Sequence, residues 1–145
     1  MAVWVATVSL LSLDTSFLID FLSGDSDAIE KMRRIESEGN MLAVSSIVVY
    51  ELLVLSAGDR GPDKVQKAIN TIEMILSRIG TIWSLDPEAA RLAAEIQRTQ
   101  MLKGKPVSVR DLFISATTIR NGCHIVITRN PRDFELIDGL KVEQY

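Results

Sequence analysis

Short apolar runs alternate with stretches of helical periodicity along this chain. Leu10, Leu11 and Leu13 make a run of the kind that forms a strand buried on both faces, and Asp14 ends it abruptly. Thr15 or Ser16 can then cap a helix carrying Phe17, Leu18, Phe21 and Leu22. After Gly24, Asp25 or Ser26 opens a second helix with Ile29, Met32 and Ile35 inward, stopped by Gly39-Asn40. Leu42 to Val44 reads as a strand, and Ser45 and Ser46 cap a nearly all-apolar helix from Ile47 to Ala57. Val65, Ile69, Ile72, Leu76 and Ile79 recur at helical spacing before Gly80. Thr81 to Leu85 reads as a third strand, and Asp86-Pro87 starts a helix reaching Gly104. Val109, Leu112, Phe113, Ala116 and Ile119 mark the core face of the next helix. His124 to Thr128 is a fourth strand, Asn130-Pro131 opens a helical turn, and Leu140 to Glu143 is a last short strand. Strands alternating with helices predict an α/β fold with a parallel sheet covered on both faces.

The 145 residues, 47% hydrophobic and 24% charged, suit one domain with a core of its own. One cysteine, Cys123, excludes an internal disulfide, and one histidine beside it leaves no ligand set for structural zinc. A metal would have to be a hard cation on oxygen ligands. Met1 to Leu13 carries no charge, yet it lacks the basic start and small-residue cleavage site of a secretion signal. It is also too short to span a bilayer as a helix, so it reads as a leading strand with an apolar extension, in a cytoplasmic protein without a membrane partner.

Charge is unevenly spread. Residues 1–97 carry 8 Lys and Arg against 14 Asp and Glu, whereas Arg98 to Arg132 carries seven basic residues and one acid, Asp111. That basic segment suits a polyanion, although a solvated helix face accounts for it equally well.

Four carboxylates stand where the apolar pattern leaves no room for them. Asp14 ends a buried strand on the rim where open α/β sheets bind ligands; alone, it reads first as a capping residue. Glu51 interrupts Ile47 to Leu55, a run apolar on every side, and a charge buried there needs a partner, a proton or a cleft. Asp111 shares a stripe with Ser115 and Thr118 opposite the core face, which suits a helix lining a polar cleft. Asp133 follows the fourth strand and shares the Asp14 rim if strands one and four are neighbours. Carboxylates converging there repel unless a cation neutralises them, and acids without His or Cys favour Mg²⁺ or Mn²⁺. Such an ion polarises a phosphodiester and activates water, while Arg110, Arg129 and Arg132 could hold the phosphates of RNA. His124 reads as structural and Cys123 as a packing residue, Trp4, Trp83 and Tyr50 read as core or interface rather than base-stacking platforms, and no glycine-rich phosphate loop is present.

Leu13-Asp-Thr-Ser-Phe-Leu-Ile-Asp20, Ser46-Ile-Val-Val-Tyr-Glu-Leu52, Arg110-Asp-Leu-Phe-Ile-Ser-Ala116 and Thr128-Arg-Asn-Pro-Arg-Asp-Phe134 resemble, in order, the four motifs of PIN-domain nucleases. The compact length and the closing Gly139-Leu-Lys-Val-Glu143 most resemble VapC-type toxins. The resemblance implies a single PIN-like three-layer domain over 1–145, with a five-stranded parallel sheet in the order 3-2-1-4-5. It further implies Asp14, Glu51, Asp111 and Asp133 as metal-binding acids, supported by Ser16, Thr128 and Asn130. Metal-dependent RNA cleavage, a homodimer and a cognate antitoxin go with it. About ten residues precede the usual first strand, and Ser108, Val109 and Arg110 stand where some relatives carry a second acid, which leaves the number of ions open. The alternatives are a PIN nuclease of RNA processing or turnover without an antitoxin, and a receiver-like Mg²⁺-binding regulatory module. The latter wants adjacent acids near the first strand and a distinctive Lys, neither of which is found.

Overall fold

A computed structural model describes residues 8–58 and 61–145. Its strands are β1 (Leu10–Leu13), β2 (Met41–Ser45), β3 (Ile82–Trp83), β4 (Ile125–Ile127) and β5 (Lys141–Glu143). Its helices are α1 (Thr15–Leu22), α2 (Ser26–Ser37), α3 (Ser46–Ser56), α4 (Pro62–Ile79), α5 (Pro87–Leu102), α6 (Val109–Arg120) and α7 (Arg132–Glu135). The expected apolar extension, with Trp4, lies outside the described residues.

All the strands run parallel, in the order β3-β2-β1-β4-β5 that the family resemblance implies. The chain steps one way from β1 to β3, then crosses back and lays β4 and β5 on the other side of β1. Crossovers of one hand therefore deposit α1–α4 on one face and α5–α6 on the other. Two apolar clusters match this division. One joins β1, β2 and β4 to α1–α4, with Ile114 of α6 and Phe134 of α7 reaching it, and the other joins α5 and α6 to Val107 and Ile137. As the middle strand, β1 is buried from Leu11 to Leu13, which is why it reads as an apolar run. Its one polar side chain, Ser12, meets Thr118 Oγ1 at 3.0 Å.

Two expectations need correction. The third strand shrinks from Thr81–Leu85 to two residues. Past Trp83 the chain turns inward, with Leu85 N–H donating to Ser46 Oγ at 3.2 Å and Asp86 N–H to Ser84 O at 3.0 Å. The second is the polar stripe of α6. Val109 is exposed rather than core, while Ser115 and Thr118 are fully buried rather than lining a cleft. α6 packs on α5, α3, α7 and β2, so both of its stripes are covered. Ser115 Oγ is left without a partner, alone among buried side-chain polar atoms of the described residues.

Candidate active site

Among the described residues, every helix start with a polar N-cap side chain is capped in the ordinary way, with one exception; α4 and α7 begin at Gly61 and Pro131, which have no capping group to offer. Asp25, Ser45, Asp86 and Ser108 each accept a bond from the backbone N–H three residues on. Asp14 occupies the same position before α1, with φ −80° and ψ 158°, but its side chain makes no capping bond. Its carboxylate turns instead into the crevice at the carboxyl ends of β1 and β4, beside the point where strand order reverses. There it is 1% exposed. Thr128 Oγ1 donates to Asp14 Oδ2 at 2.8 Å and Ser16 Oγ donates to the same oxygen at 3.1 Å. The two hydroxyls are themselves fixed, since Arg129 N–H donates to Ser16 Oγ and Asn130 N–H to Thr128 Oγ1, each at 3.0 Å.

The other oxygen, Asp14 Oδ1, accepts from Arg110 Nη2 at 3.0 Å. The same guanidinium reaches Asp111 Oδ1 through Nη1 at 2.5 Å and bonds Glu51 Oε2 through Nε. Glu51 Oε1 also accepts from Thr15 Oγ1 at 2.8 Å. Three carboxylates, from the turn after β1, from α3 and from α6, thus surround one cation. Burial alone would lower the Arg110 pKa, but Asp14, Glu51 and Asp111 more than offset it and raise it. Burial pushes the Asp111 carboxyl up to about 6, against the pull of Arg110, and the neighbouring Asp133 adds to the rise. Asp133 Oδ2 accepts from Ser108 N–H at 3.0 Å, which ties α7 to the start of α6.

All four predicted acids are therefore gathered at one rim, three on the guanidinium and Asp133 beside Asp111. Ser16 and Thr128 buttress Asp14 through their hydroxyls. Asn130 does so through its backbone, because its side chain is exposed. The three arginines part company. Arg110 faces the acids, Arg132 is exposed, and Arg129 pairs with Asp20 at 2.5 Å. Tyr145 Oη donates to the other Asp20 oxygen at 2.6 Å. Burial and the Asp20 carboxylate both raise the Tyr145 pKa. Sequence reasoning missed Thr15 and Asp20. The only signal for either was membership of the Asp14 motif, and a pattern of apolar spacing carries no information about polar reach.

As they stand, no three His, Cys, Asp or Glu side chains among the described residues form a group that could hold a metal ion. The donor set is nevertheless oxygen-only and already arranged about a positive charge, which is the chemistry a hard divalent ion requires.

The sequence profile of the PIN domain matches residues 11–140. The chain belongs to the PIN domain family. Over 133 residues this PIN domain is 29% identical to the tRNA(fMet)-specific endonuclease VapC of Shigella flexneri, covering 92% of this chain and 96% of that protein. Its fold resembles VapBC2 from Rickettsia felis bound to a promoter DNA fragment, with a TM-score of 0.79 at 20% identity, covering 94% and 98% of the two chains. A toxin–antitoxin complex from Klebsiella pneumoniae gives 0.67 at 26% identity, covering 92% and 95%.

Thr128→Val tests the seat of Asp14 in this PIN domain. Removing the hydroxyl leaves a buried carboxylate oxygen and the Asn130 N–H short of a partner, at an expected cost of about 1–3 kcal/mol. Urea unfolding reads it; a loss below about 0.5 kcal/mol, the size of an ordinary surface change, would show that water replaces the bond.

Proposed function

We propose that the chain is a divalent-metal-dependent endoribonuclease, the toxin of a cytoplasmic toxin–antitoxin pair, with Asp14, Glu51, Asp111 and Asp133 as its metal-binding acids. One observation carries the reading. A fully buried aspartate at the sheet's switch point forgoes helix capping and shares a cation with Glu51 and Asp111. A structural capping residue would not need such neighbours. Mg²⁺ or Mn²⁺ held there would act as Lewis acid for the phosphodiester and acidify an attacking water. Ser16 and Thr128 hold the Asp14 carboxylate in one rotamer, so it stays aimed into the crevice. Arg129 and Arg132, exposed on the same rim, are placed to neutralise RNA phosphates that the acids would otherwise repel.

The relatives' names make tRNA the substrate to try first and an antitoxin the partner to expect. Tyr50, Val54 and Leu55 on α3 and Met101 and Leu102 on α5 are exposed apolar side chains, which supports a helix-mediated homodimer. Among the described residues no helix is long and apolar enough to cross a membrane.

The protein should cut tRNA in Mg²⁺ or Mn²⁺ and stop in EDTA, while Asp14→Asn should be inactive in all three. Gel analysis of end-labelled tRNA decides it. Equal cutting in EDTA, or by Asp14→Asn, would assign the activity to something other than this site.

A further inference from the structure

We infer that Arg110 has two stations: a plug that spans the acids while no divalent ion is bound, and a phosphate contact once the ion has displaced it. The inference rests on the metal-dependent nuclease reading above and extends it to what controls entry to the site.

The geometry supplies the first station. Arg110 stands in the first turn of α6, immediately before Asp111, and its three guanidinium nitrogens each hold a different carboxylate. Oxygens that share one Mg²⁺ converge to about 2.1 Å from a single point. Oxygens bonded to separate nitrogens of a flat fork do not converge in that way, which is why the acids as they stand form no metal-holding group. The guanidinium occupies the space the ion needs, so closing the ligand set requires the side chain to leave. Charge favours the exchange. Three ionised carboxylates against one guanidinium leave two negative charges uncompensated, with Asp133 adjacent. A dication can therefore displace a monocation that is held by good hydrogen bonds.

The second station follows from where the side chain can go. Asp14 is buried, but the Arg110 side chain is 35% exposed, so its stem already leads out of the crevice. Released, the fork reaches the mouth that a phosphodiester must enter, and a planar pair of donors suits phosphate better than an ammonium does. The plug also lowers apparent metal affinity in proportion to the time it spends in place. If the open form is populated about one part in ten, the apparent Kd is about tenfold weaker than the intrinsic one.

The test uses the full-length protein, Arg110→Met and Arg110→Lys. Calorimetry with Mn²⁺ alone should show Arg110→Met binding about tenfold or more tightly than the parent. Arg110→Lys should fall between them, because it keeps the charge but cannot span three acids. If removal of charge were the whole effect, Lys would match Arg. Proton–nitrogen spectra should show an Arg110 Nε–H, missing in Arg110→Lys, that is protected from exchange in EDTA and loses protection when Mg²⁺ saturates. With a tRNA stem-loop analogue made uncleavable by methylene in place of the bridging phosphate oxygens, the parent's salt slope should steepen by about 0.7 on adding Mg²⁺, and that of Arg110→Met should not.

Mn²⁺ affinity equal in all three proteins, or an Nε–H still protected at saturating Mg²⁺, overturns the plug and leaves the nuclease reading standing. An unplugged Arg110 with no change in salt slope overturns the second station. If neither the parent nor Arg110→Met binds Mn²⁺, the metal site itself falls, and the inference with it.

Discussion

Asp111→Asn should abolish RNA cleavage and yet raise the melting temperature of the metal-free protein at pH 7. The Asp111 carboxyl is buried in the fold and pushed up to about 6 from an ordinary 3.8, despite its pairing with Arg110. A carboxyl with a raised folded pKa holds its proton more tightly in the native state than in the unfolded chain. The parent should therefore lose stability as pH rises from about 4 to about 6, by on the order of 3 kcal/mol. Above that window the penalty is fully present, and asparagine removes it while keeping the shape. Arg110 still has Asp14 and Glu51 to pair with. For a chain of this size each kcal/mol is worth about 2–4 °C, so the shift is several degrees. Melting curves in EDTA from pH 4 to pH 7 should coincide for the two proteins at the acid end and separate toward neutrality. Activity in Mg²⁺ should drop by more than about 100-fold, the loss expected even for weaker supports of a metal site. A variant that is less stable at pH 7, and still active, would make Asp111 an ion-pair partner with no part in catalysis.

Phe17→Ala should be among the most damaging single changes to the fold. Phe17 is fully buried in the first turn of α1, three residues after Asp14. Its ring meets Tyr145 edge-on, with centroids 5.0 Å apart and planes at 67°. Truncation removes the transfer energy of the ring and leaves a cavity, together about 3–5 kcal/mol, and the edge contact accounts for about 0.5–1.5 kcal/mol beyond area alone. The damage should also travel, because Tyr145 holds Asp20 and Asp20 holds Arg129. Urea unfolding should show the midpoint falling with an unchanged slope. A loss under about 1 kcal/mol would mean that the surrounding side chains collapse into the space.

The order of elements was legible because each strand is short and apolar and most helices keep a clean stripe. Caps were legible for the same local reason: Asp25, Ser45 and Asp86 act on the next turn and need no tertiary partner. What failed was the inference about the second face of α6. Ser115 and Thr118 recur with Asp111 at a helical spacing, which says they share a stripe and nothing about what covers it. Thr118 in fact spends its hydroxyl on Ile114 O at 2.7 Å and on Ser12. The acids were legible as misfits in apolar runs, but the placing of Arg110 among them was not. Its sequence position fits a phosphate contact and an acid-spanning cation equally well, and only the meeting of β1, α3 and α6 distinguishes the two.

β1 sits at the centre of the sheet although it comes first in the chain, and its second neighbour, β4, arrives more than a hundred residues later, pairing Ser12 with Val126 and Leu13 with Ile127. Contacts so distant along the chain close slowly, since the loop entropy is lost before they form. The consequence concerns the order in which the molecule comes into being. A ribosome adding about 5–20 residues each second releases Asp14 long before Thr128, the hydroxyl that seats it. Helices α1 to α4 can gather on a half-built sheet meanwhile, but the crevice has only one wall. A nascent chain should thus have no completed acid cluster until Thr128 and Asp133 have left the exit tunnel.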